Sequence, residues 1–304
     1  MKQKLILDVD TGFDDAVAIL LAGYHPALEL VAVCVSHGNA PLEVTLDNTL
    51  RVMRAGGLEH VPVYAGAARA LVAEPLRTDP LQHKRFDLPP ALTEPQPQRA
   101  VEFLIEHYLG PDGPATIYAP MGPQTNLGLA LQLESRLAAR IPRLVTMAGA
   151  YLEGNTTPSA EFNVLADPEA AHIVFTAGCN ITMVGLEACY QALITPDDLT
   201  QMRAFTTPRA ALAANIMQPH VEWWLEVMQW AGGPVYDAVA VAAIAEPALL
   251  QTKAAHVEIE LHGTLTRGRT VADMAGWHQQ PPNVEVAVKV DRARFIEVLF
   301  EGLR

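Results

Sequence analysis

The chain alternates between short runs that are apolar at nearly every position and longer stretches that are apolar every third or fourth residue. The short runs fall at residues 5–9, 30–35, 61–64, 115–119, 143–147 and 181–184 and predict strands. Between them, residues 14–23, 42–55, 100–109, 125–139 and 168–177 carry the helical period. Strands apolar on both faces and separated by helices predict a parallel sheet covered on both sides. The second half reads as more helical, with helices at 197–204, 209–230 (kinked at Pro219) and 238–245. Two β-like stretches at 257–261 and 284–290 and a helix from Asp291 close the chain, and the proline-rich 78–97 reads as a long surface loop. No linker divides it. The expected architecture over residues 1–304 is therefore one α/β domain, a mostly parallel central sheet flanked by helices. In such sheets ligands bind at the carboxyl ends of the strands, so the chemistry is expected just after the apolar runs.

Composition narrows the classes. Half of the 304 residues are hydrophobic, which excludes disorder and supports a full core. The 34 acids against 21 bases give a net charge of −13 and argue against nucleic acid and anionic membrane surfaces, both of which need clustered Lys and Arg. Cys34, Cys179 and Cys189 form no Cys-x-x-Cys pair and read as small buried hydrophobes of a reduced protein. The apolar stretch at 5–7 ends at Asp8, too short for a secretory segment. The longest uncharged run, 113–133, holds three prolines and does not fit a membrane span. A soluble, cytoplasmic protein is expected.

Candidate chemistry begins after the first strand, where Asp8, Asp10, Asp14 and Asp15 fall at a strand end, a glycine-containing turn and a helix start. Helix capping and the helix dipole account for one or two of these acids. Asp8 and Asp10, at the end of a buried strand, need donors or a cation, and a hard divalent metal is the economical answer. Two enzyme classes use Asp-x-Asp here. Haloacid-dehalogenase-like phosphatases also need a later Lys and an acidic pair, which do not fall after strands in this chain. The other class is the nucleoside hydrolases.

Later segments decide between them. Ser36-His37-Gly38-Asn39 follows the second strand, with Asn48 beyond it. Met121-Gly122-Pro123-Gln124-Thr125-Asn126 and Met147-Ala148-Gly149-Ala150 follow two others. Then come residues 154–163 (ending Glu161-Phe162-Asn163), Asp167-Pro168-Glu169, Tyr236-Asp237-Ala238, and Leu265-Thr266-Arg267-Gly268 with Asp273. In this order they resemble the inosine–uridine-preferring nucleoside hydrolase family from residue 4 to the C-terminus. The resemblance implies a Rossmann-like fold, hydrolysis of the N-glycosidic bond of ribonucleosides, and homodimers or homotetramers. It implies Ca²⁺ held by Asp10, Asp15, the Thr125 backbone carbonyl and Asp237, with Asp10 taking the proton of the Ca²⁺-bound water. Asp14 matches the group on the ribose 2′-hydroxyl, with Asn39 nearby. Asn155, Glu161 and Asn163 match those on the 3′- and 5′-hydroxyls; Met147 lines the sugar pocket and Asp237 also meets substrate. Asp8 falls behind them as a brace. The physics agrees: carboxylates stabilise an oxocarbenium-like sugar, and amides around a polyol select ribose.

Some positions depart from the family or have plainer readings. Tyr236 stands where many purine-accepting members carry a His that protonates the leaving base; a phenol is a poor neutral-pH acid, so Tyr236 is expected to contact or orient the base. Glu187 replaces a more usual Asp. His83 reads as a loop surface residue. Asn39 has a plainer reading as a strand-end residue and Asn155 as a turn residue. Glu161, before Phe162-Asn163, shows little helical or capping logic, which favours function. Trp223, Trp224 and Trp230 are expected on one helix, where one ring could stack on the base. A nucleoside- or ribose-binding protein with weak catalysis is the alternative, opposed by the intact Asp10, Asp15 and Asp237. Apart from Arg267, the motif residues offer no base to hold a phosphate, so an uncharged nucleoside is the expected partner.

Overall fold

Alternation along the first strand sets the layers. In the computed structural model, which describes residues 2–76 and 85–304, β1 (Gln3–Val9) sends Leu5, Leu7 and Val9 into one apolar layer and Ile6 into the other. His83 lies outside the described residues. β2 (Leu28–Val35) divides in the same way, Val33 and Val35 to one side and Ala32 and Cys34 to the other.

The remaining strands are β3 (Val63–Ala65), β4 (Thr116–Pro120), β5 (Leu144–Met147), β6 (Ile181–Val184), β7 (Leu250–Ile259), β8 (Thr270–Asp273) and β9 (Val284–Val290). They form one sheet in the order β3-β2-β1-β4-β5-β6-β9-β7-β8. From β3 to β9 the pairs are parallel; β7 is antiparallel to both its neighbours. The winding reverses between β1 and β4, where Asp8 sits opposite Cys34 on one side and Pro120 on the other. A doubly wound sheet opens its ligand crevice at such a reversal.

The helices Phe13–Tyr24 and Tyr236–Ala245 pack against each other, so their N-termini meet above β1. Tyr236–Ala245 is apolar almost all round and, past its first residue, buried until Ala245, as such a helix must be. The expected helix over 125–139 splits into Thr125–Leu133 and Leu137–Arg140, because Glu134 leaves helical geometry and its carboxylate accepts from the Arg136 amide (3.1 Å) and side chain. The helix Pro208–Glu226 runs through Pro219 and stops short of Trp230, correcting the expected 209–230. Gln229 at φ 59° turns the chain back, and the Trp230 amide donates to the Trp224 carbonyl (3.2 Å). Among the described residues no helix is long and apolar enough to cross a membrane.

Candidate active site

The turn after β1 is tied by its own acid. Asp15 accepts from the Gly12 amide (2.8 Å) and the Asp10 amide (3.3 Å), fixing the entry to the helix Phe13–Tyr24 and setting Asp14 beside it. Asp237 lies in the first turn of Tyr236–Ala245. One carboxylate oxygen each from Asp14, Asp15 and Asp237 lies within 4.8 Å of the others. Asp10, 1 % exposed, stands next to this trio: its Oδ2 accepts from the Asn39 amide (2.6 Å), and Asn39 Nδ2 donates to its carbonyl (3.3 Å). Asp14, rather than Asp10, thus completes the closest trio. Gly38 and Gly122 flank the Asp10 carboxylate so closely that a Cβ on either would collide with it. Asp8 lies underneath, holding the Tyr118 hydroxyl and Asn126 Nδ2 (2.8 Å), outside the cavity lining.

Burial and mutual repulsion push these acids up. Asp14 is raised to about 7 and Asp15 to about 6, with loss of water contact the leading cause in each; Asp10 and Asp237 lie well above the usual carboxylate range. Among the described residues no Lys or Arg pairs with any of them. A cluster of carboxylate oxygens, buried at Asp10, Asp15 and Asp237 and half-buried at Asp14, with no Lys or Arg partner among the described residues, fits a hard divalent cation. A consequence is measurable. Without a cation the folded state holds these protons more tightly than the unfolded chain, so ionising the acids costs stability as pH rises from about 4 through 7. His37 and His220, each pushed down to about 4 by burial, act in the opposite direction. The difference with and without cation is therefore the readable quantity. The Tm gain on adding Ca²⁺ to EDTA-treated protein is expected to be larger at pH 7.5 than at pH 5; an equal gain would exclude these carboxylates as the cation site.

A cavity of about 360 Å³ opens over the acids, within the size range of small-ligand sites. Asp10, Asp14, Asn39, Met147, Asn155, Glu161, Asn163, Tyr236 and Asp237 all line it, so sequence-distant expectations converge in one place. Asp15 and Thr125 are buried behind it. The Thr125 hydroxyl donates to Asp167 (2.7 Å) and lies 3.1 Å from His37 Nε2, at the start of the helix Thr125–Leu133.

Several side chains have structural work as well. Glu161, where little capping logic was expected, is the N-cap of the helix Phe162–Ala166: it accepts from the amides of Asn163 (2.8 Å), Val164 (3.2 Å) and Gly149 (2.9 Å). A carboxylate has lone pairs left after three such bonds, so the cap and the cavity wall are compatible. Asn163 Nδ2 is spent on the Met121 and Met147 carbonyls (2.6 and 3.1 Å), which turns its oxygen to other partners. Asn155, exposed at the rim, accepts from the Phe162 amide (2.9 Å) and keeps its amino group. Glu187 lies outside this lining, its Oε1 accepting from the Leu152 amide (2.6 Å). Arg267 is engaged by Glu169 (2.7 Å) and the Leu261 carbonyl, away from the cavity.

Of the rings expected near the base, Tyr236 is at the cavity and the tryptophans are not. Trp223, Trp224 and Trp230 do not line it; Phe13, Phe162, His220 and Tyr236 do. Sequence reading missed His220 because a lone histidine on a long helix carries no pattern; only the cavity identifies it. Tyr236 shares a side-chain hydrogen bond with Tyr190, and burial drives its phenol well above its usual range.

Comparison with known proteins agrees with this geometry. The family described as inosine-uridine preferring nucleoside hydrolase matches residues 5–297. The pyrimidine-specific ribonucleoside hydrolase RihB of Escherichia coli (strain SE11) is 35% identical over 308 residues, covering 100% of this chain and 97% of that protein. The solved purine-preferring ribonucleoside hydrolase from Gardnerella vaginalis superposes with a TM-score of 0.91 at 29% identity, covering 99% and 98% of the two chains. An inosine-guanosine nucleoside hydrolase superposes with a TM-score of 0.88 at 27% identity, over 99% and 98%. With the match spanning nearly its whole length, the chain belongs to the inosine–uridine-preferring nucleoside hydrolase family.

Proposed function

We propose that this enzyme binds an uncharged ribonucleoside and hydrolyses its N-glycosidic bond to ribose and free base, with Asp10 as the base that deprotonates the attacking water. The observation that carries the reading is the cavity in which Asp10, Asp14 and Asp237 meet the amides of Asn39, Asn155 and Asn163, with no Lys or Arg among the described residues of its wall. Asp10 is held by the Asn39 amide, and burial raises its affinity for a proton, which suits proton abstraction. Asp14 and Asp237 accept from ribose hydroxyls, and the Asn155 amino group donates to another. As the bond to the base lengthens, positive charge grows on the sugar, and the surrounding carboxylates stabilise it.

Asp10, Asp15, Asp237 and the Thr125 carbonyl would hold Ca²⁺, with Asp14 close by; bound there, Ca²⁺ supplies positive charge and acidifies water. Tyr236, half-buried at the cavity wall and hydrogen-bonded to Tyr190, orients the base rather than protonating it. The three cysteines are free and buried, which suits a reducing cytoplasm. Residues 1–304 are read as one working domain, assembled as a homodimer or homotetramer as the family resemblance implies.

The test is reducing-sugar release from uridine, cytidine, inosine and adenosine. Release is expected to stop with EDTA and return with Ca²⁺, and Tyr236→Phe is expected to keep most of it. A loss in Tyr236→Phe approaching that of Asp10→Asn would make the phenol the acid. Nucleoside binding without ribose release in Ca²⁺ would favour a binding protein, and hydrolysis of p-nitrophenyl phosphate would favour a phosphatase.

A further inference from the structure

Aromatic rings form a connected wall beside the cavity. Ring centroids run from Phe13 to His220 (6.0 Å), His220 to Trp224 (6.2 Å), Trp224 to Tyr190 (6.3 Å) and Tyr190 to Tyr236 (5.9 Å). Phe13, His220 and Tyr236 reach the cavity. Flat apolar faces of this kind suit a nucleobase, whereas the amides and carboxylates suit the sugar.

The orientation of His220 within this wall is fixed. Its Nε2 lies 2.8 Å from the Pro234 carbonyl, which can only accept, so Nε2 carries the hydrogen. The Cδ2–Nε2 edge lies against Gly233, 2.8 and 3.3 Å from where a Cβ there would stand. Nδ1 is the ring atom opposite that edge. No described residue donates to Nδ1, and it is not among the buried polar atoms sealed without a partner. The imidazole, pushed down to about 4 by burial, stays neutral at pH 7, leaving Nδ1 an open acceptor at the cavity.

We infer that His220 reads the nucleobase: its Nδ1 accepts a hydrogen bond from a ring N–H or an exocyclic amino group, while the Nε2–H bond to Pro234 fixes the ring. This rests on the glycosidase reading and adds a specificity-determining contact to it. Uracil and hypoxanthine present a ring N–H, and cytosine and adenine an amino group. A base whose donor is replaced by a methyl group leaves the acceptor unpaired and crowds the ring.

The test compares kcat/KM for uridine against 3-methyluridine and inosine against 1-methylinosine. Wild type is expected to prefer the unmethylated member of its better-cleaved pair by at least about tenfold, the cost of one unpaired buried acceptor. His220→Met, with His220→Phe as the second variant, is expected to bring that ratio to within about threefold; a ratio on one enzyme cancels general losses from the freed Pro234 carbonyl. A check that needs no variant is the ¹⁵N resonance of His220 Nδ1, expected to shift when free uracil or hypoxanthine is added. Equal cleavage of both members by wild type, an undiminished ratio in a folded variant, or an unmoved Nδ1 resonance would each overturn the contact. Wild type that cleaves none of the four nucleosides would overturn the glycosidase reading instead, with the Nδ1 response still deciding whether His220 meets the base.

Discussion

Asp10→Asn is expected to lower kcat by about 10²–10⁴-fold, the range typical of losing a positioned general base. The amide is nearly isosteric, and its oxygen can still accept from the Asn39 amide that now holds Oδ2 at 2.6 Å. The fold should therefore survive, and the loss should fall on the proton acceptor. Removing a negative charge also weakens the hold on a cation, so kcat belongs at saturating Ca²⁺, with thermal unfolding measured alongside. A folded variant within about fivefold of wild type would move the base elsewhere in the cavity.

Gly38→Ala should come close to the same loss without touching a polar group. A Cβ at Gly38 would overlap Asp10 Oδ2 and stand 2.8 Å from the Pro123 ring. The proline is covalently stiff, so relief must come from the Asp10 carboxylate or from the loop carrying the Asn39 amide, and either breaks their hydrogen bond. A fall in kcat of about 10²-fold is expected, since small misplacements of a catalytic group cost on that scale. The double variant Gly38→Ala/Asp10→Asn should lose little more than Asp10→Asn alone, because both act through one carboxylate. Fully additive losses would mean that Gly38 serves something other than Asp10.

Much of the architecture was legible because the apolar runs are uniform. The helix Leu42–Ala55 and the strands Ile181–Val184 and Val284–Val290 fall where periodicity places them. β8 was not legible: Thr270–Asp273 is short, half polar and paired on one side, so it leaves no hydrophobic pattern. The break at Glu134 and the turn at Gln229 come from local hydrogen bonds and one left-handed residue, which periodicity does not encode. At the site, motif order located the lining residues from Asp10 to Asp237. It did not reveal that Glu161 caps a helix, that Asp14 completes the closest carboxylate trio, or that His220 enters the cavity, since each depends on contacts between remote segments.

The trio also bears on how the protein comes apart. Asp14 and Asp15 stand near the start of the chain and Asp237 far along it, joined through two packed helices. A cation bridging them would act as a removable cross-link closing one of the longest loops in the molecule. Such a link is felt only once both helices are docked, so it belongs to the native state more than to the folding nucleus. Bound cation would accordingly slow unfolding far more than it speeds folding, making the protein's lifetime, and not merely its activity, depend on the ion.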